Sequence, residues 1–178
     1  MDKQRIIVNS GTSTYWELPL RQWQRSTAAH STVEVNGLNS SEVWGHFRVA
    51  RRAYPSDVKI LKNGEELSVQ CSHNGYWHQA RCIHTRTWTL TENTLTVTDH
   101  LSKPCQAIAR YYVHPDVKLE GSSMKIPSRE LTVASQAKIH SENSCYYPEF
   151  GKALSSSVMF QELVQDGQIQ LNWHTLRI

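Results

Sequence analysis

The sequence lacks the long apolar stretches that mark membrane proteins and exported precursors. No segment approaches the roughly 18 consecutive apolar residues of a membrane span. The N-terminus reads MDKQRIIVNSG and has no apolar core of the kind found in signal peptides. We therefore expect a soluble chain with no membrane segment and no export signal of its own, and the compartment stays open.

Cysteine is sparse, and no two cysteines have the C-x-x-C spacing of a redox or zinc motif. Two disulfide bridges could still form among the four residues, but buried free thiols are the expected state of so few cysteines. The four positions are Cys71, Cys82, Cys105 and Cys145.

The charge balance is also weak, with 19 basic and 16 acidic residues and a net charge of +3. This excess is too small to indicate nucleic-acid binding by electrostatics alone. Five arginines nevertheless fall in the first third of the chain, and they predict either an acidic ligand at that end or an ordinary solvated face. They are Arg21, Arg25, Arg48, Arg51 and Arg52.

The common sequence motifs of catalytic sites are missing. There is no glycine-rich phosphate loop, no G-x-S-x-G nucleophile turn and no H-E-x-x-H zinc motif. The nine histidines have no metal-ligand spacing. A folded sheet could still bring together His30, His84 and a carboxylate, and a hydrogen-bonded structural role is the alternative for each histidine.

Strand signals, in contrast, recur at short intervals along the chain. The pattern predicts strands at residues 5–8, 31–35, 43–53, 58–62 and 67–72, and an irregular loop at residues 12–29. Asn-Gly pairs at 36–37, 63–64 and 74–75 predict tight hairpin turns. Residues 87–101 read as a long hairpin with its turn near Glu92 and Asn93.

The second half continues in the same way, with short strands at 108–113, 117–119, 124–126, 131–134 and 137–140, and a closing hairpin at 157–164 and 168–178. About a dozen evenly spaced strands and no clear helix are typical of an all-β protein. We predict a two-sheet antiparallel β-sandwich with little or no helix. No repeat or linker marks a second domain, so residues 1–178 are expected to form a single domain.

Residues 21–37, RQWQRSTAAHSTVEVNG, form the stretch with the most chemistry. Two arginines, a tryptophan, a hydroxyl pair and a histidine lead directly into the alternating Val33 and Val35. A polar cluster that runs into a strand can be presented to a ligand by a rigid sheet. From the residues alone, the chain is an all-β domain with an edge rich in arginine, tryptophan and histidine.

Several motifs resemble those of one family. They are VNSGTSTY, R-x-x-x-R-S-T-A-A-H-S-T-V-E-V-N-G, VWGHFRVARRA, the H-T-R and L-T-V-T-D strands at 84–86 and 95–99, residues 110–115, and YPEFG at 147–151. Together they are similar, in the same order along nearly the whole chain, to the C-terminal region of heparinase II/III-like polysaccharide lyases.

This resemblance implies a sandwich that follows a helical toroid domain, and the toroid would lie outside this sequence. The family's reaction removes the proton alpha to a uronate carboxylate and expels the glycosidic oxygen, which requires a base, an acid and a group that neutralises the carboxylate. Most of those groups belong to the toroid. A further histidine, on an H-x-D strand, would lie before Met1.

The resemblance also assigns roles to residues of this chain. His30 falls on a family histidine that is a zinc ligand in some members, whereas Asn9 stands where an aspartate ligand would be, so an intact zinc site is in doubt. Tyr15 could face the sugar, as the weak candidate for a catalytic group, or could pack at an interface. No other catalytic residue is assigned.

Substrate binding is expected at four side chains. Arg21 and Arg25 could hold substrate carboxylates or clamp the chain to a neighbouring segment. Trp23 could stack on a sugar ring or fill the core. Arg48 lies with Trp44 and His46 on one face of the predicted strand 43–53.

Two functions from different classes follow. One is the sandwich portion of a lyase that cleaves acidic polysaccharide by β-elimination and is inactive without its toroid. The other is a non-catalytic carbohydrate-binding or structural module. Acidic polysaccharide and the toroid are the expected partners, and an uncovered sheet edge predicts self-association into homo-oligomers.

Overall fold

A computed structural model describes residues 4–126 and 129–173 of the chain. Two α-helices and one 3-10 turn accompany fifteen strands in these residues. In chain order the elements are β1 (Ile7–Val8), α1 (Leu18–Arg25), the 3-10 turn (Thr27–Ala29), β2 (Val33–Val35), β3 (Val43–Trp44), β4 (Arg48–Val49), β5 (Pro55–Asn63), β6 (Glu66–His73), α2 (Trp77–Ala80), β7 (His84–Leu90), β8 (Thr94–Leu101), β9 (Ala107–Val113), β10 (Lys118–Glu120), β11 (Ser123–Ile126), β12 (Arg129–Ser135), β13 (His140–Tyr146), β14 (Leu154–Leu163) and β15 (Asp166–Trp173).

The strands form two main antiparallel sheets and one small hairpin. The larger sheet has eight strands in the order β10-β11-β12-β15-β8-β7-β6-β5. The smaller sheet has the order β1-β9-β14-β13, and β2 also pairs with β9. β1 pairs with the end of β9 and β2 with its start, so both occupy the edge of β9 that β14 leaves free. The predicted antiparallel β-sandwich is confirmed.

The core lies between the two sheets because their strands alternate buried and exposed side chains. Buried residues from both sheets form one hydrophobic cluster, in which Val33, Leu101, Val113 and Ile169 are at most 2% exposed. Alternation with a period of two residues is the pattern of strands with one covered face.

The smaller sheet covers only part of the larger one. Ile60, Trp88 and Val97 lie on one row across β5, β7 and β8, with Val69 of β6 between the first two. Exposure falls along this row from 68% at Ile60 to 36% at Trp88 and 6% at Val97. All nine residues of β5 are exposed, so this edge strand extends beyond the cover of the smaller sheet.

The irregular loop predicted for residues 12–29 is wrong, because it contains α1. The helix begins at Leu18 and has proline in its first turn, where the fixed proline backbone and the missing N–H are well tolerated. Its eight residues are too few for a clear helical period.

Other local predictions also need correction. Residues 43–53 do not form one strand: β3 and β4 pair as a hairpin around Gly45, whose φ of 56° favours a turn. The Asn74-Gly75 pair leads into α2 instead of a hairpin. The strand predicted at 137–140 begins only at His140.

The predicted closing hairpin at 157–164 and 168–178 is wrong as well. β14 pairs with β9 and β13, whereas β15 pairs with β8 and β12. The turn before Gly167 therefore carries the chain from one sheet to the other. Residues 174–178 of that prediction lie outside the described residues.

The hairpins at Asn63-Gly64 and Glu92-Asn93 are confirmed, since β5 pairs with β6 and β7 pairs with β8. Neither helix in the described part of the chain is long and apolar enough to cross a membrane.

Candidate functional site

Arg25 fastens the β3–β4 hairpin to α1. Its guanidinium donates to the carbonyl oxygens of Gly45 at 3.1 Å and Arg48 at 2.9 Å, and more weakly to that of Trp44 at 3.4 Å. Burial, reinforced by the charge of Arg21, lowers the pKa of Arg25. A planar guanidinium can satisfy several carbonyls at once, so Arg25 acts as a clamp within the fold.

Arg21, one helical turn before Arg25, reaches the same hairpin. Its Nε donates to the carbonyl of His46 at 3.2 Å, and its guanidinium carbon lies 5.0 Å from the centre of the Tyr15 ring and 5.8 Å from that of Phe47. Residues four apart share one face of a helix, which explains why both arginines meet the hairpin. The remaining N–H groups of Arg21 have no hydrogen-bond partner among the described residues.

Aromatic rings surround Arg21 at the surface. Tyr15 packs edge-on against Phe47, with ring centres 5.2 Å apart, and against Phe150 at 4.3 Å. Trp16 is 82% exposed and Phe47 is 59% exposed. We call this patch the aromatic edge and define it as Tyr15, Trp16, Phe47 and Phe150 together with Arg21 and Arg48.

The β3–β4 hairpin also contacts Trp16 and carries Arg48, two further members of the aromatic edge. His46 Nε2 lies 3.2 Å from the carbonyl oxygen of Trp16, which joins the hairpin turn to the segment before α1. Arg48 is exposed on β4, and its side chain makes no hydrogen bond or ion pair with the described residues. Arg48 is therefore the arginine of this edge that is most free to bind a ligand.

Trp23 lies on a different face of α1 from Arg21 and Arg25. Its ring packs edge-on against Tyr112, with centres 6.4 Å apart, and against Tyr147 at 6.2 Å. It is half-buried in a groove between α1 and β13. The structure thus brings Tyr15 and Arg21 together, places Arg48 on the hairpin that Arg21 contacts, and places Trp23 elsewhere.

His30 and Asn9 lie close together but do not form a complete metal site. Asn9 Oδ1 accepts the backbone N–H of Ser31 at 2.9 Å, so the amide oxygen is already used in the fold. Burial lowers the pKa of His30, which favours the neutral imidazole that metals bind. Among residues 4–126 and 129–173, no three His, Cys, Asp or Glu side chains are placed to hold a metal ion.

This donor set does not fit zinc, because one imidazole and one neutral, already bonded amide leave the usual four-ligand shell unfilled. Zinc binding at His30 stays a prediction that would need ligands from beyond the described residues. Next to Asn9, the buried Ser10 hydroxyl has no hydrogen-bond partner within the described part of the chain.

Behind the His30 loop, the core contains a buried polar network. Asp99 on β8 is fully buried and binds Arg86 on β7 through both carboxylate oxygens, at 2.7 and 2.9 Å. Arg86 Nη1 then donates to the carbonyl of Ser31 at 2.7 Å. The network therefore fixes the backbone that carries His30.

Two histidines extend this network towards α2. The N–H of Gly75 donates to Nδ1 of His73 at 3.2 Å, so the proton of neutral His73 is on Nε2. His73 Nε2 lies 3.1 Å from His84 Nδ1, and His84 Nε2 lies 2.6 Å from Asp99 Oδ1. Each histidine can then donate to the next group, which gives a single chain of hydrogen bonds that ends on the carboxylate.

The pKa values of His73 and Asp99 in this network are shifted by their buried surroundings. Burial, together with the nearby His84 and Arg86, lowers the pKa of His73 to about 4. Burial alone would raise the pKa of Asp99, but the hydrogen bond from His84 and the charge of Arg86 outweigh it and hold that pKa below its ordinary value. Asp99 therefore stays ionised and His73 stays neutral around neutral pH.

Sequence reasoning missed His73 and the role of Asp99 as an anchor. It raised the idea that His84 meets a carboxylate in the sheet; the carboxylate is that of Asp99, and the further histidine is His73 instead of His30. The usable signal was the alternation of His84 and Arg86 on one face of β7, opposite Asp99 on the next strand.

The fold and this edge define an antiparallel β-sandwich that presents arginines and aromatic rings on one side. The sequence profile described as "Heparinase II/III-like, C-terminal" matches residues 1–174. The chain therefore belongs to the heparinase II/III-like C-terminal family. Comparison with curated proteins gives no match.

Solved structures with the same fold include the heparan sulfate lyase HepC from Pedobacter heparinus. A mutant of this enzyme has a TM-score of 0.72 and 13% identity over 98% of this chain, which corresponds to 29% of the lyase. A heparinase III gene product has a TM-score of 0.70 and 11% identity, covering 95% of this chain and 28% of its own. This chain thus spans less than a third of the length of these solved structures.

Proposed function

We propose that this chain is the sandwich portion of an enzyme that cleaves a uronate-containing polysaccharide by β-elimination. The observation that carries the proposal is the aromatic edge, where Arg21 stands beside exposed rings and Arg48 is exposed on the adjoining hairpin, on a family fold found in lyases. A guanidinium can bind a uronate carboxylate through two parallel hydrogen bonds, and an aromatic ring can pack against the apolar face of a sugar.

The proposed division of labour follows from the chemistry of elimination. The reaction needs a base for the proton alpha to the carboxylate, an acid for the leaving oxygen, and positive charge to stabilise the carboxylate. Arg48 and the free N–H groups of Arg21 would supply the positive charge. Tyr15, 39% exposed beside Arg21, would contact the sugar and is a candidate for proton transfer.

The proposal includes a helical domain that supplies the other catalytic groups, so residues 1–178 act as one sandwich unit and are inactive alone. The solved lyases with this fold are more than three times as long as the matched region, which supports a larger parent enzyme. We also infer that the uncovered edge strand β5 lets the isolated chain self-associate, since all its residues are exposed.

A non-catalytic carbohydrate-binding module is the second candidate. It is favoured by the composition of the aromatic edge, which contains two arginines and four rings but no carboxylate. Such a patch can bind an acidic glycan without any acid and base pair. The two candidates share a ligand and differ only in whether a partner domain restores cleavage.

Two measurements test these candidates. Titration calorimetry with polygalacturonate should detect binding that weakens with added salt, and Arg48→Ala should weaken it about tenfold. Lys118→Ala removes a positive charge from β10, the edge strand of the larger sheet at the end away from β5, and should leave the affinity unchanged. Equal losses in both variants would show that only net charge matters.

Absorbance of the unsaturated uronate product tests catalysis. The chain alone should give none, and mixing it with a helical domain from a heparinase II/III-like lyase should restore cleavage. Product formed by the chain alone would overturn the requirement for a second domain. Binding without any restored cleavage would favour the non-catalytic module.

A further inference from the structure

We propose a second binding site for an acidic sugar unit, in the pocket between the base of the β3–β4 hairpin and α2. The pocket has a volume of about 280 Å³ and includes Tyr54, Trp77, Arg51, Arg52 and His78 in its lining. No residue of the aromatic edge lines it. The inference goes beyond the proposed function by adding a second site, and its ligand class rests partly on that function.

The walls of this pocket are held by backbone contacts, so its shape is fixed by the fold. The N–H of Glu42 donates to the carbonyl of Arg51 at 2.9 Å across the hairpin base. On the other wall, the N–H of Tyr54 donates to Asn74 Oδ1 at 2.9 Å. The N–H of Trp77 then donates to the Asn74 carbonyl at 2.9 Å, which starts α2 at a fixed position.

Glycine is required where the two walls meet. A Cβ atom on Gly75 would lie 2.5 Å from the carbonyl oxygen of Ser40 and 3.0 Å from the Cβ of Ala53. Such distances are far inside van der Waals contact, so any side chain here would push α2 away from the hairpin base. The close approach at Gly75 therefore closes the bottom of the pocket.

The polar groups of the pocket leave a positive charge without a protein partner. Arg51 is paired with Glu42, with Nε and Oε1 2.9 Å apart, and this pairing lowers the pKa of Glu42. Arg52 makes no hydrogen bond or ion pair with the described residues. His78 and Gln79 also line the pocket, and neither side chain makes a hydrogen bond within the described part of the chain, although the charge of His78 acts on Glu42.

Two exposed rings complete the recognition surface. Tyr54 is 64% exposed and Trp77 is 44% exposed, and both line the pocket. Aromatic rings present an electron-rich face to the C–H groups of a pyranose, while Arg52 offers a planar fork of donors to a carboxylate or sulfate. Rings, a free guanidinium and further hydrogen-bond donors in one cleft match a charged sugar better than an apolar ligand.

A volume of about 280 Å³ is at the lower limit for small-molecule pockets, so we expect one sugar unit to occupy it. We expect the pocket and the aromatic edge to bind separate ligand molecules. The β3–β4 hairpin lies between them, with Arg48 near its turn and Arg51 and Arg52 at its base.

Nuclear magnetic resonance on the full chain tests this site through the indole N–H signal of Trp77. Titration with a galacturonate tetrasaccharide should shift that signal in a saturable way. Arg52→Ala should raise the dissociation constant measured at Trp77 about tenfold, because a charge-assisted hydrogen bond is lost. The free guanidinium of Arg52 has no structural partner, so this variant should fold normally.

Arg48→Ala is the control that separates the two sites. It should leave the Trp77 response unchanged and reduce the response of the Trp16 indole at the aromatic edge. A Trp16 response that Arg48→Ala leaves unchanged, with an intact Trp77 response, would refute the proposed role of Arg48 at the edge and leave the pocket standing.

Three results would overturn the pocket. The Trp77 signal could stay still, the methyl-esterified tetrasaccharide could shift it with the same affinity, or Arg52→Ala could leave the dissociation constant unchanged. Each would show that the cleft does not select a charged sugar through Arg52.

Discussion

Asp99 binds the guanidinium of Arg86 through both carboxylate oxygens, at 2.7 and 2.9 Å, inside the sandwich core. Both side chains are at least 90% buried, and Arg86 also holds the Ser31 carbonyl at 2.7 Å. The pair thus connects β7 and β8 with the loop that carries His30. Because ions are costly to bury unpaired, the two residues depend on each other.

Removing the charge of Asp99 should therefore destabilise the fold. Asp99→Asn leaves the Arg86 charge buried and uncompensated, and we expect a loss of about 3–5 kcal/mol in the free energy of unfolding. Urea denaturation followed by circular dichroism measures it. Glu120→Gln, the same change in the exposed pair with Lys125, should have no measurable effect.

The double variant Asp99→Leu with Arg86→Met refines this test. It removes both charges together, so it should be less destabilised than Asp99→Asn. If the single variant proves as stable as the natural protein, the Asp99–Arg86 pair does not hold the core together.

The pH dependence of stability should report on His73. In the folded protein the pKa of His73 is lowered from 6.5 to about 4. As the pH falls through this range, the unfolded chain therefore binds a proton at His73 that the folded chain does not bind. Stability from neutral His73 is complete above pH 6.5 and decreases towards pH 4, by at most about 1.4 kcal/mol per pH unit.

Urea denaturation at several pH values between 4 and 7 measures this slope. His73→Gln should reduce this slope, because one titrating group is gone while His30, whose pKa burial also lowers, remains. His100→Gln, a change at the exposed histidine paired with Asp166, should keep the slope of the natural protein. A slope that His73→Gln leaves unchanged would assign the acid sensitivity to other groups.

Arg25 is expected to hold the β3–β4 hairpin in place. Arg25→Ala removes its donors to Gly45 and Arg48, so hydrogen exchange at the amides of Glu42 and Ala50 should accelerate about tenfold or more. Arg25→Lys should not restore protection, because one ammonium cannot replace the planar fork.

Arg48→Ala is the matched control for that experiment. It removes an exposed side chain but keeps the backbone carbonyl that Arg25 binds, so exchange in the hairpin should not change. Unaltered exchange in Arg25→Ala would mean that Arg21 alone is enough to hold the hairpin.

The isolated chain should self-associate along β5. Ile60 is 68% exposed on this edge strand, and Ile60→Lys should raise the dissociation constant by about tenfold or more, because a charge opposes edge-to-edge pairing. Sedimentation analysis at several concentrations measures it. Val164→Lys, at an apolar residue 63% exposed outside the strands, should leave the assembly unchanged.

If the chain is monomeric at all concentrations, self-association along β5 is contradicted. Asp57, with a φ of 52° at the irregular pairing between Ser56 and Lys59, could then be the feature that keeps the edge from pairing.

Local features of the sequence predicted local structure well. The Asn63-Gly64 pair and the turn near Glu92 and Asn93 were identified correctly, since the residues of a tight hairpin turn are set by the backbone angles it needs. The short helix α1 was missed because eight residues inside an irregular stretch give little periodicity. The hairpin β3–β4 was read as one strand because Gly45 alone marked its turn.

The candidate site was predictable only in part. Tyr15 and Arg21 do come together, and Arg48 lies on a hairpin that folds back onto α1 through Arg25. Nothing in the spacing of Arg25 showed that its partners would be backbone carbonyls. His73 gave no signal, because its partner His84 is eleven residues away and becomes adjacent only through the pairing of β6 with β7.

By itself, the sequence determined the strand-rich class, the tight turns and the family motifs, because each depends on residues close together in the chain. Only the tertiary structure decided that β14 and β15 belong to different sheets and that Asp99 and Arg86 form the buried anchor. It also decided that β5 remains uncovered. The physical reason is that every strand offers the same backbone donors and acceptors on both edges, so its partners are chosen by packing across the whole core.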